Sequence, residues 1–287
     1  MTVLTPVLAV HDPGPLALVQ DLGRPGVAAL GVSPSGAADR GALRLANRLV
    51  GNDEGAAGLE LTLGGLDLSA DAPVLLALTG AVVPVLEPTG PGLNHAFTLP
   101  AGVRLRLGAP TVGMRSYLAV RGGLDEPVTL GSRSTDLRAA LGPDRVCSGR
   151  RLPVGVPTGR VPAVDVAPVA APLAGTVELH VRWGPRDDWF TPAARAAFTA
   201  TPWQVGAHLD RTGVRLVGGR LERRVRAELP SEGMVRGAVQ VPPDGEPIVF
   251  LADHPSTGGY PVIAVVLDDD ADRVAQLRPG QRVRFLP

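Results

Sequence analysis

Apolar and polar residues alternate along several short stretches of the chain. In residues 59–63 and 103–107 every second side chain is apolar, which is typical of an antiparallel strand that buries one face. Other stretches are short apolar runs bounded by turn residues. Together these patterns predict strands over 59–63, 74–78, 103–107, 116–120, 177–181, 214–217, 238–241, 248–251, 262–267 and 283–285.

Helical spacing is rare and predicts four short helices. Asp39 is the predicted N-cap of the first, because apolar residues follow at the i, i+3, i+4 and i+7 positions 42, 45, 46 and 49. Thr191 before Pro192 predicts the start of a second helix over 193–199. A third is predicted from Ser132 or Ser134 through residue 141, and a fourth over 270–277.

Glycine and proline are frequent, at 36 and 29 residues, while hydrophobic residues still make up 45% of the chain. This mixture favours a mainly β protein with many tight turns over a disordered one. Residues 153–172 are rich in proline and lack periodicity, which predicts an extended connector. We therefore expect a β-rich N-terminal domain over 1–152 and a β-rich C-terminal domain over 173–287, each with a few short helices.

Composition excludes several classes of function. The formal net charge is zero, so nothing indicates nucleic acid or a membrane as a partner. The first residues do not resemble a signal peptide, and the single Cys147 cannot form an internal disulfide, so a cytoplasmic location is expected. All basic residues are arginines; without lysine this chain offers no Schiff base, phosphate-loop lysine or biotinyl-lysine.

Two glycine-rich polar loops flank the first predicted helix. They read VQDLGRPG over 19–26 and SPSGAAD over 33–39. Arg24 is placed to hold a carboxylate or phosphate in bidentate fashion. The alternative is that Asp21 and Arg24 pair with each other in a turn while Asp39 merely caps the helix.

Two later loops carry further candidate groups. The string LGSRST over 130–135 offers hydroxyls and an arginine to an anion, although such residues before a helix are often only caps. The string ADHPSTGGYP over 252–261 lies between two apolar runs and holds a carboxylate, an imidazole, hydroxyls, a phenol and a glycine pair. It is either an ordinary tight turn or the mouth of a site.

Other signatures of catalysis or metal binding are weak. The five histidines lack metal-ligand spacing, and one cysteine cannot form a thiolate cage, so no metal site is predicted. No nucleotide-binding glycine motif is present.

Nine strings, taken in order along the chain, carry a resemblance to a known family that runs from about Gly14 to Phe285. They are VQDLGRPG, SPSGAAD, ANRLVGN, YLAVRGG, LGSRST, DRTG, the run SEG to GAVQVP, ADHPSTGGYP and AQLRPGQRVRF. The series resembles the allophanate-hydrolase-subunit-2-like family, also called biotin-dependent carboxyltransferase subdomain B. Its members include KipA and the C-type subunit of prokaryotic 5-oxoprolinase. The family commonly has Gln-Thr where this chain has Pro255-Ser256.

The resemblance implies a cyclophilin-like β-barrel fold and a partner chain. That partner is a subunit 1-like protein (KipI or the B-type subunit of 5-oxoprolinase), with an A-type subunit as a possible third member. The implied activity is that of the C-type subunit of 5-oxoprolinase in the ATP-dependent cleavage of 5-oxo-L-proline to L-glutamate. Two alternatives stay open: the carboxyltransferase half of a biotin-dependent urea or allophanate enzyme, and a KipA-like regulatory protein that antagonises a kinase inhibitor.

The resemblance also implies where a small-molecule substrate would bind. Asp253 is the expected general base or Mg²⁺ ligand, Arg24 the anion clamp and Tyr260 an orienting donor. The remaining expected binding residues are Gln20, Asp39, Ser132, Thr135, Arg211, Thr257, Gly258 and Gly259. ATP and Mg²⁺ are expected through the complex, and biotin only if a partner delivers it.

Overall fold

The computed structural model describes residues 5–90, 92–164 and 166–287. The chain forms two compact units. Unit 1 contains Met1–Arg24 and Ser35–Pro172; unit 2 contains Pro25–Pro34 and Leu173–Pro287. Unit 2 therefore includes an excursion, the segment Pro25–Pro34 from the N-terminal part of the chain. The predicted connector over 153–172 belongs to unit 1. Residues 1–4 and 91 of the predicted N-terminal domain and residue 165 of the predicted connector lie outside the described residues.

Unit 1 is built from two five-stranded antiparallel sheets and one helix. The sheet orders are β10-β1-β4-β8-β6 and β2-β3-β9-β5-β7. The elements are β1 Val7–Asp12, β2 Leu16–Gln20, α1 Arg40–Leu49, β3 Gly58–Thr62, β4 Asp67–Ala70, β5 Val74–Val82, β6 Val85–Glu87, β7 His95–Leu99, β8 Arg104–Leu107, β9 Val112–Val120 and β10 Arg151–Pro153.

The alternating pattern of these strands produces the core of unit 1. Inward side chains of both sheets, such as Leu61 of β3 and Leu68 of β4, share one fully buried apolar cluster. Helix α1 covers the other face of the second sheet, where Leu43 and Ala46 pack with Ala77 of β5. The helix begins as predicted, because Asp39 Oδ1 accepts a hydrogen bond from the Ala42 amide at 2.8 Å.

Unit 2 is a closed barrel with strand order β11-β18-β15-β16-β13-β12-β19 and a separate pair, β14-β17. Its elements are β11 Val177–Trp183, α2 Pro192–Ala200, β12 Trp203–Leu209, β13 Gly213–Val217, β14 Glu232–Gly233, β15 Ala238–Gln240, β16 Ile248–Phe250, β17 Thr257–Gly258, β18 Val262–Val266, α3 Asp268–Val274 and β19 Arg282–Leu286. Short 3₁₀ helices cover Ala28–Leu30 and Asp187–Trp189.

The barrel closes through one parallel pair, β11 with β19, while its other strand pairs are antiparallel. Helix α2 packs beside β19, where the rings of Phe198 and Phe285 stack with centroids 4.3 Å apart. Thr191 caps this helix by accepting a hydrogen bond from the Ala194 amide at 3.1 Å, and Pro192 occupies its first turn. The prediction of a mainly β protein with barrel architecture and few helices is confirmed.

The predicted third helix, through residue 141, is wrong. The Ser132 and Ser134 hydroxyls donate to the Asp21 carboxylate and do not cap a helix. Asp136 then accepts hydrogen bonds from the amides of residues 138 and 139, which makes a turn that competes with helix formation. In the described part of the chain, no helix is long and apolar enough to cross a membrane.

Candidate functional site

The Asp21 carboxylate organises the polar loops of unit 1. Its Oδ1 accepts hydrogen bonds from the Gly23 amide at 2.7 Å, from Ser132 Oγ at 2.7 Å and from Ser134 Oγ at 2.5 Å. Its Oδ2 accepts from the Arg133 amide at 2.6 Å. Four donors around one buried carboxylate fix loops 19–26 and 130–135 to each other.

Arg24 is almost completely buried, at 1% exposure, yet it makes no ion pair with any described residue. Its Nη2 donates to the Ser134 carbonyl at 2.5 Å and its Nε to the Thr129 carbonyl at 3.4 Å. Its Nη1 has no hydrogen-bond partner among the described residues. The alternative of an Asp21–Arg24 pair is therefore wrong, and the guanidinium keeps donors for another acceptor.

Two more buried polar atoms of unit 1 lack partners within the described residues: Gln20 Oε1 and Thr135 Oγ1. Gln20 Nε2 donates to the Thr135 carbonyl at 2.8 Å, one residue from the carbonyl that Arg24 holds. Buried polar groups are normally satisfied by protein, water or ligand. Unit 1 thus brings together an unused donor on Arg24, an unused acceptor on Gln20 and a hydroxyl on Thr135.

Glycines bring the backbone close to this cluster. A Cβ at Gly142, which has φ of +78°, would lie 2.1 Å from the Ser134 carbonyl oxygen and 3.3 Å from Arg24 Nη2. A Cβ at Gly36, with φ of +87°, would lie 2.6 Å from the Gly23 nitrogen. Both positions therefore require glycine, for conformation and for space.

A second buried network in unit 1 fixes the start of α1. Tyr117 donates to Glu60 Oε2 at 2.8 Å and accepts from the Asp39 amide at 2.8 Å. Burial, and then the negative charge of Glu60, raise the pKa of Tyr117 well above its usual value of 10.0. Asp39 thus lies at the helix start as a cap, and its predicted role in anion binding stays a prediction.

In unit 2, Asp253 and Arg211 form a buried bidentate ion pair. Arg211 Nε donates to Oδ2 at 2.8 Å and Nη2 to Oδ1 at 2.9 Å, with the side chains 5% and 3% exposed. The backbone adds a hydrogen bond from the Asp253 amide to the Arg211 carbonyl at 2.9 Å. The structure brings these two predicted site residues together and ties loop 253–261 to the turn between β12 and β13.

The rest of the loop is partly exposed. Thr257 and Gly258 form β17, and a Cβ at Gly258 would lie 2.7 Å from Gln240 Nε2. Ser256 Oγ donates to the Gly31 carbonyl at 3.2 Å, which joins the loop to the Pro25–Pro34 excursion of the same unit. Gly259 and the 44%-exposed Tyr260 line a cavity of unit 2.

Sequence reasoning missed Asp21 and Ser134 as the centre of the unit 1 network. The signal was present, because an aspartate in a glycine-rich loop and a Ser-x-Ser pair are both local hydrogen-bonding motifs. The pairing of Asp253 with Arg211 had no signal in the sequence. No group of three or more His, Cys, Asp or Glu in residues 5–90, 92–164 and 166–287 is placed to hold a metal ion.

Residues 30–287 match the model of a protein family described as "Carboxyltransferase domain, subdomain A and B". The chain belongs to this carboxyltransferase family. The resemblance inferred from the nine strings is therefore confirmed. Because the match covers most of the chain, it applies to both units.

Carboxyltransferase-family relatives include the C subunit of 5-oxoprolinase from Escherichia coli, which is 40% identical over 98% of this chain and 91% of the relative. The Haemophilus influenzae protein of the same name is 34% identical over 94% and 87%. The urea amidolyase of Lachancea kluyveri is 33% identical over 97% of this chain but only 17% of its own length.

Two solved structures share the fold of this chain. TTHA0988 superposes with a TM-score of 0.88 at 36% identity, covering 99% of this chain and 56% of that one. The urea carboxylase of Kluyveromyces lactis also gives 0.88, at 31% identity, covering 99% and 28%. The chain thus spans about half, or less, of the length of these solved proteins.

Proposed function

We propose that this chain is the C subunit of an ATP-dependent 5-oxoprolinase that cleaves 5-oxo-L-proline to L-glutamate in the cytoplasm. It would act with a subunit 1-like (B-type) chain and an A-type chain. The observation that carries the proposal is the 40% identity to the Escherichia coli 5-oxoprolinase protein over 91% of that relative's length. A likeness over nearly the whole of both chains supports a shared role better than a match to one part of a larger enzyme.

The unpartnered atoms of unit 1 suit a lactam. An amide offers one acceptor, its carbonyl oxygen, and one donor, its N–H. Arg24 Nη1 would donate to that oxygen as it gains negative charge, while Gln20 Oε1 would accept from the lactam N–H. Thr135 Oγ1 would supply a further donor or acceptor. These roles refine the anion clamp predicted for Arg24.

For unit 2 we propose that Asp253 acts as a positioning residue. Both of its oxygens already accept hydrogen bonds from Arg211, which limits its use as a proton acceptor. Its contribution would be to hold loop 253–261, with Tyr260 and the amides of Gly258 and Gly259, in one conformation. The general base expected at Asp253 is the competing assignment, and Asp253→Asn separates the two.

The cofactors also belong to the proposal. Because the described residues offer no cluster of metal ligands, we assign no Mg²⁺ ligand to this chain. ATP and its Mg²⁺ would be held with the help of partner chains. Biotin would enter only on a partner, since this chain has no lysine to carry it.

A urea carboxylase-type carboxyl transfer is the second candidate. The observation that favours it is the TM-score of 0.88 with the urea carboxylase of Kluyveromyces lactis. This activity would require bicarbonate and a biotinylated carrier, and avidin would inhibit it. A 5-oxoprolinase would be insensitive to avidin.

The test is ATP-dependent release of glutamate by the chain mixed with its B-type and A-type partners. We expect Arg24→Gln to reduce kcat/KM by about 100-fold, the loss typical of one donor to a developing oxyanion. Arg138→Gln is the matched control, because residue 138 is an exposed arginine beside the same loop. Full turnover by Arg24→Gln would remove Arg24 from the site, and absence of 5-oxoproline-dependent turnover in any mixture would reject the function.

A further inference from the structure

A cavity of about 790 Å³ opens within unit 2 beside loop 253–261. Its wall is formed by residues 220–223, 226–229 and 243–245 together with Gly259 and Tyr260. The volume lies in the range of about 300–1,000 Å³ that is usual for small-molecule sites. Every lining residue belongs to unit 2, so the site is contained in one folded body.

Three arginines, at positions 220, 223 and 226, give the cavity its chemistry. None of them makes an ion pair with a residue that the structure describes. Of the three acidic lining residues, Asp244 already accepts a hydrogen bond from Arg215 Nη1 at 2.7 Å. The lining holds three arginines and three acidic residues, and Arg215 is shared between Asp244 and Glu246, so the cavity has no net charge and a ligand would be held by individual guanidinium donors.

Arg223 is the arginine best placed to bind. Its Nη2 donates to the Val241 carbonyl, which fixes the guanidinium, while its buried Nε has no partner among the described residues. Burial lowers the pKa of Arg223 below its usual value, as expected of a partly dehydrated cation. One hydrogen bond holds this guanidinium in place, and its unused N–H can be donated to an oxyanion.

Tyr260 supplies a flat surface next to that cation. The Cζ atom of Arg223 lies 5.7 Å from the centroid of the Tyr260 ring, a cation–π contact. The Tyr260 carbonyl accepts from Gln240 Nε2 at 3.1 Å, which fixes its backbone. Tyr260 as a whole remains 44% exposed, so a planar ligand can pack against the side chain.

We propose that this cavity binds a small monoanion that carries a carboxylate on a flat ring. Arg223 would hold the carboxylate, and the ring would lie against Tyr260. One buried, unpartnered N–H on Arg223 and a lining without net charge match one carboxylate and not a triphosphate. Taken with the proposed function, on which this part of the inference rests, 5-oxo-L-proline is one such ligand, bound through its carboxylate to Arg223 at a second site that is built only from residues of unit 2.

The test is calorimetric titration of the full-length chain, without partners or ATP, with 5-oxo-L-proline and with 2-furoate, a flat-ring carboxylate that contains no lactam. We expect saturable binding of both. Arg223→Gln should weaken both by about 10- to 100-fold, the loss expected for one charge-assisted hydrogen bond. Tyr260→Ala should weaken both as well. It reports on the same cavity through a half-exposed side chain, so it does not depend on the folding of the Arg223 variant.

Arg224→Gln is the matched control, because Arg224 lies outside the cavity wall and donates to the Asp188 carbonyl. The affinity of this variant for both carboxylates should equal that of the wild type. Suppose that 2-furoate binds only when Arg223 is present, while no mixture of the three chains turns over 5-oxoproline. That result would support the cavity as a carboxylate site and reject the proposed function. Equal affinities of wild type and Arg223→Gln would overturn the inference. So would an absence of carboxylate binding, or a cavity that takes ATP in preference to both carboxylates.

Discussion

Removal of the Asp253 carboxylate should destabilise unit 2 strongly, whereas removal of both members of its ion pair should not. The perturbations are Asp253→Ala, Arg211→Met and the double substitution. Both side chains are nearly inaccessible to water and are joined by two hydrogen bonds of 2.8 and 2.9 Å. A single substitution therefore disturbs a charge in a region where water cannot replace the lost partner.

The magnitude follows from that geometry. At an effective dielectric constant of about 20, two unit charges about 4 Å apart attract by about 4 kcal/mol. Breaking a buried pair by removing one member typically costs about 3–5 kcal/mol, whereas replacing both members with apolar groups is often neutral. We expect each single variant to lose about 3–5 kcal/mol and the double variant to lose clearly less than the sum.

The chain has a convenient probe for this measurement. All three tryptophans, Trp183, Trp189 and Trp203, lie in unit 2, and Trp203 is fully buried. Tryptophan fluorescence during urea unfolding therefore reports on the unit that holds the pair. Arg182→Met, at an exposed arginine of β11, is a control for loss of positive charge.

Two results would refute this reasoning. A loss below about 1 kcal/mol in both single variants would mean that the pair is screened by water, as surface pairs are. Additive losses in the double variant would mean that the two side chains do not interact energetically. If Asp253→Asn is stable but inactive in the reconstituted assay, the general-base assignment gains over the positioning role.

Three further predictions concern unit 1. Gly142→Ala should cost about 1–3 kcal/mol more than Gly131→Ala in thermal unfolding, because both have positive φ but only at Gly142 would the new Cβ strike a carbonyl. Asp21→Asn should lower the free energy of unfolding by about 2–3 kcal/mol in the same measurement, because an amide cannot accept hydrogen bonds from all four donors. Asp12→Asn is the control and should lower it little, because the Asp12 carboxylate accepts one exposed hydrogen bond. The pKa of Tyr117 is raised on folding, so its contribution to the free energy of unfolding is fully present below about pH 10 and is lost as the pH rises through the folded-state pKa. In denaturant titrations Tyr117→Phe should therefore show a smaller decrease in the free energy of unfolding at alkaline pH.

The fold was predictable because its signals are local. Strict alternation in residues 59–63 and 103–107 identified β3 and β8, and Asp39 and Thr191 marked the starts of α1 and α2. The false helix after Ser132 shows the limit of such signals. A serine before a helix-like stretch caps only if its hydroxyl is available, and here a carboxylate 111 residues away takes it.

The candidate site was predictable only in part. Composition and strings singled out Arg24, Gln20 and the loop that holds Asp253 and Tyr260. That Arg24 is buried without an ion pair in the described chain depends on tertiary packing, which no spacing reveals. The cavity arginines had a sequence signal that was not used, since positions 220, 223 and 226 repeat at intervals of three.

The Pro25–Pro34 excursion has a consequence for the synthesis and dissection of the protein. Gly31 reaches the ribosome exit about 225 residues before Ser256, the residue to which it is hydrogen-bonded in the finished barrel. All seven barrel strands lie in a contiguous C-terminal stretch, but a cut at residue 172 would leave ten residues of unit 2, Pro25–Pro34, on the other piece. Separate expression of the whole of unit 2 would need a grafted peptide that supplies Pro25–Pro34 and with it the hydrogen bond from Ser256 to Gly31.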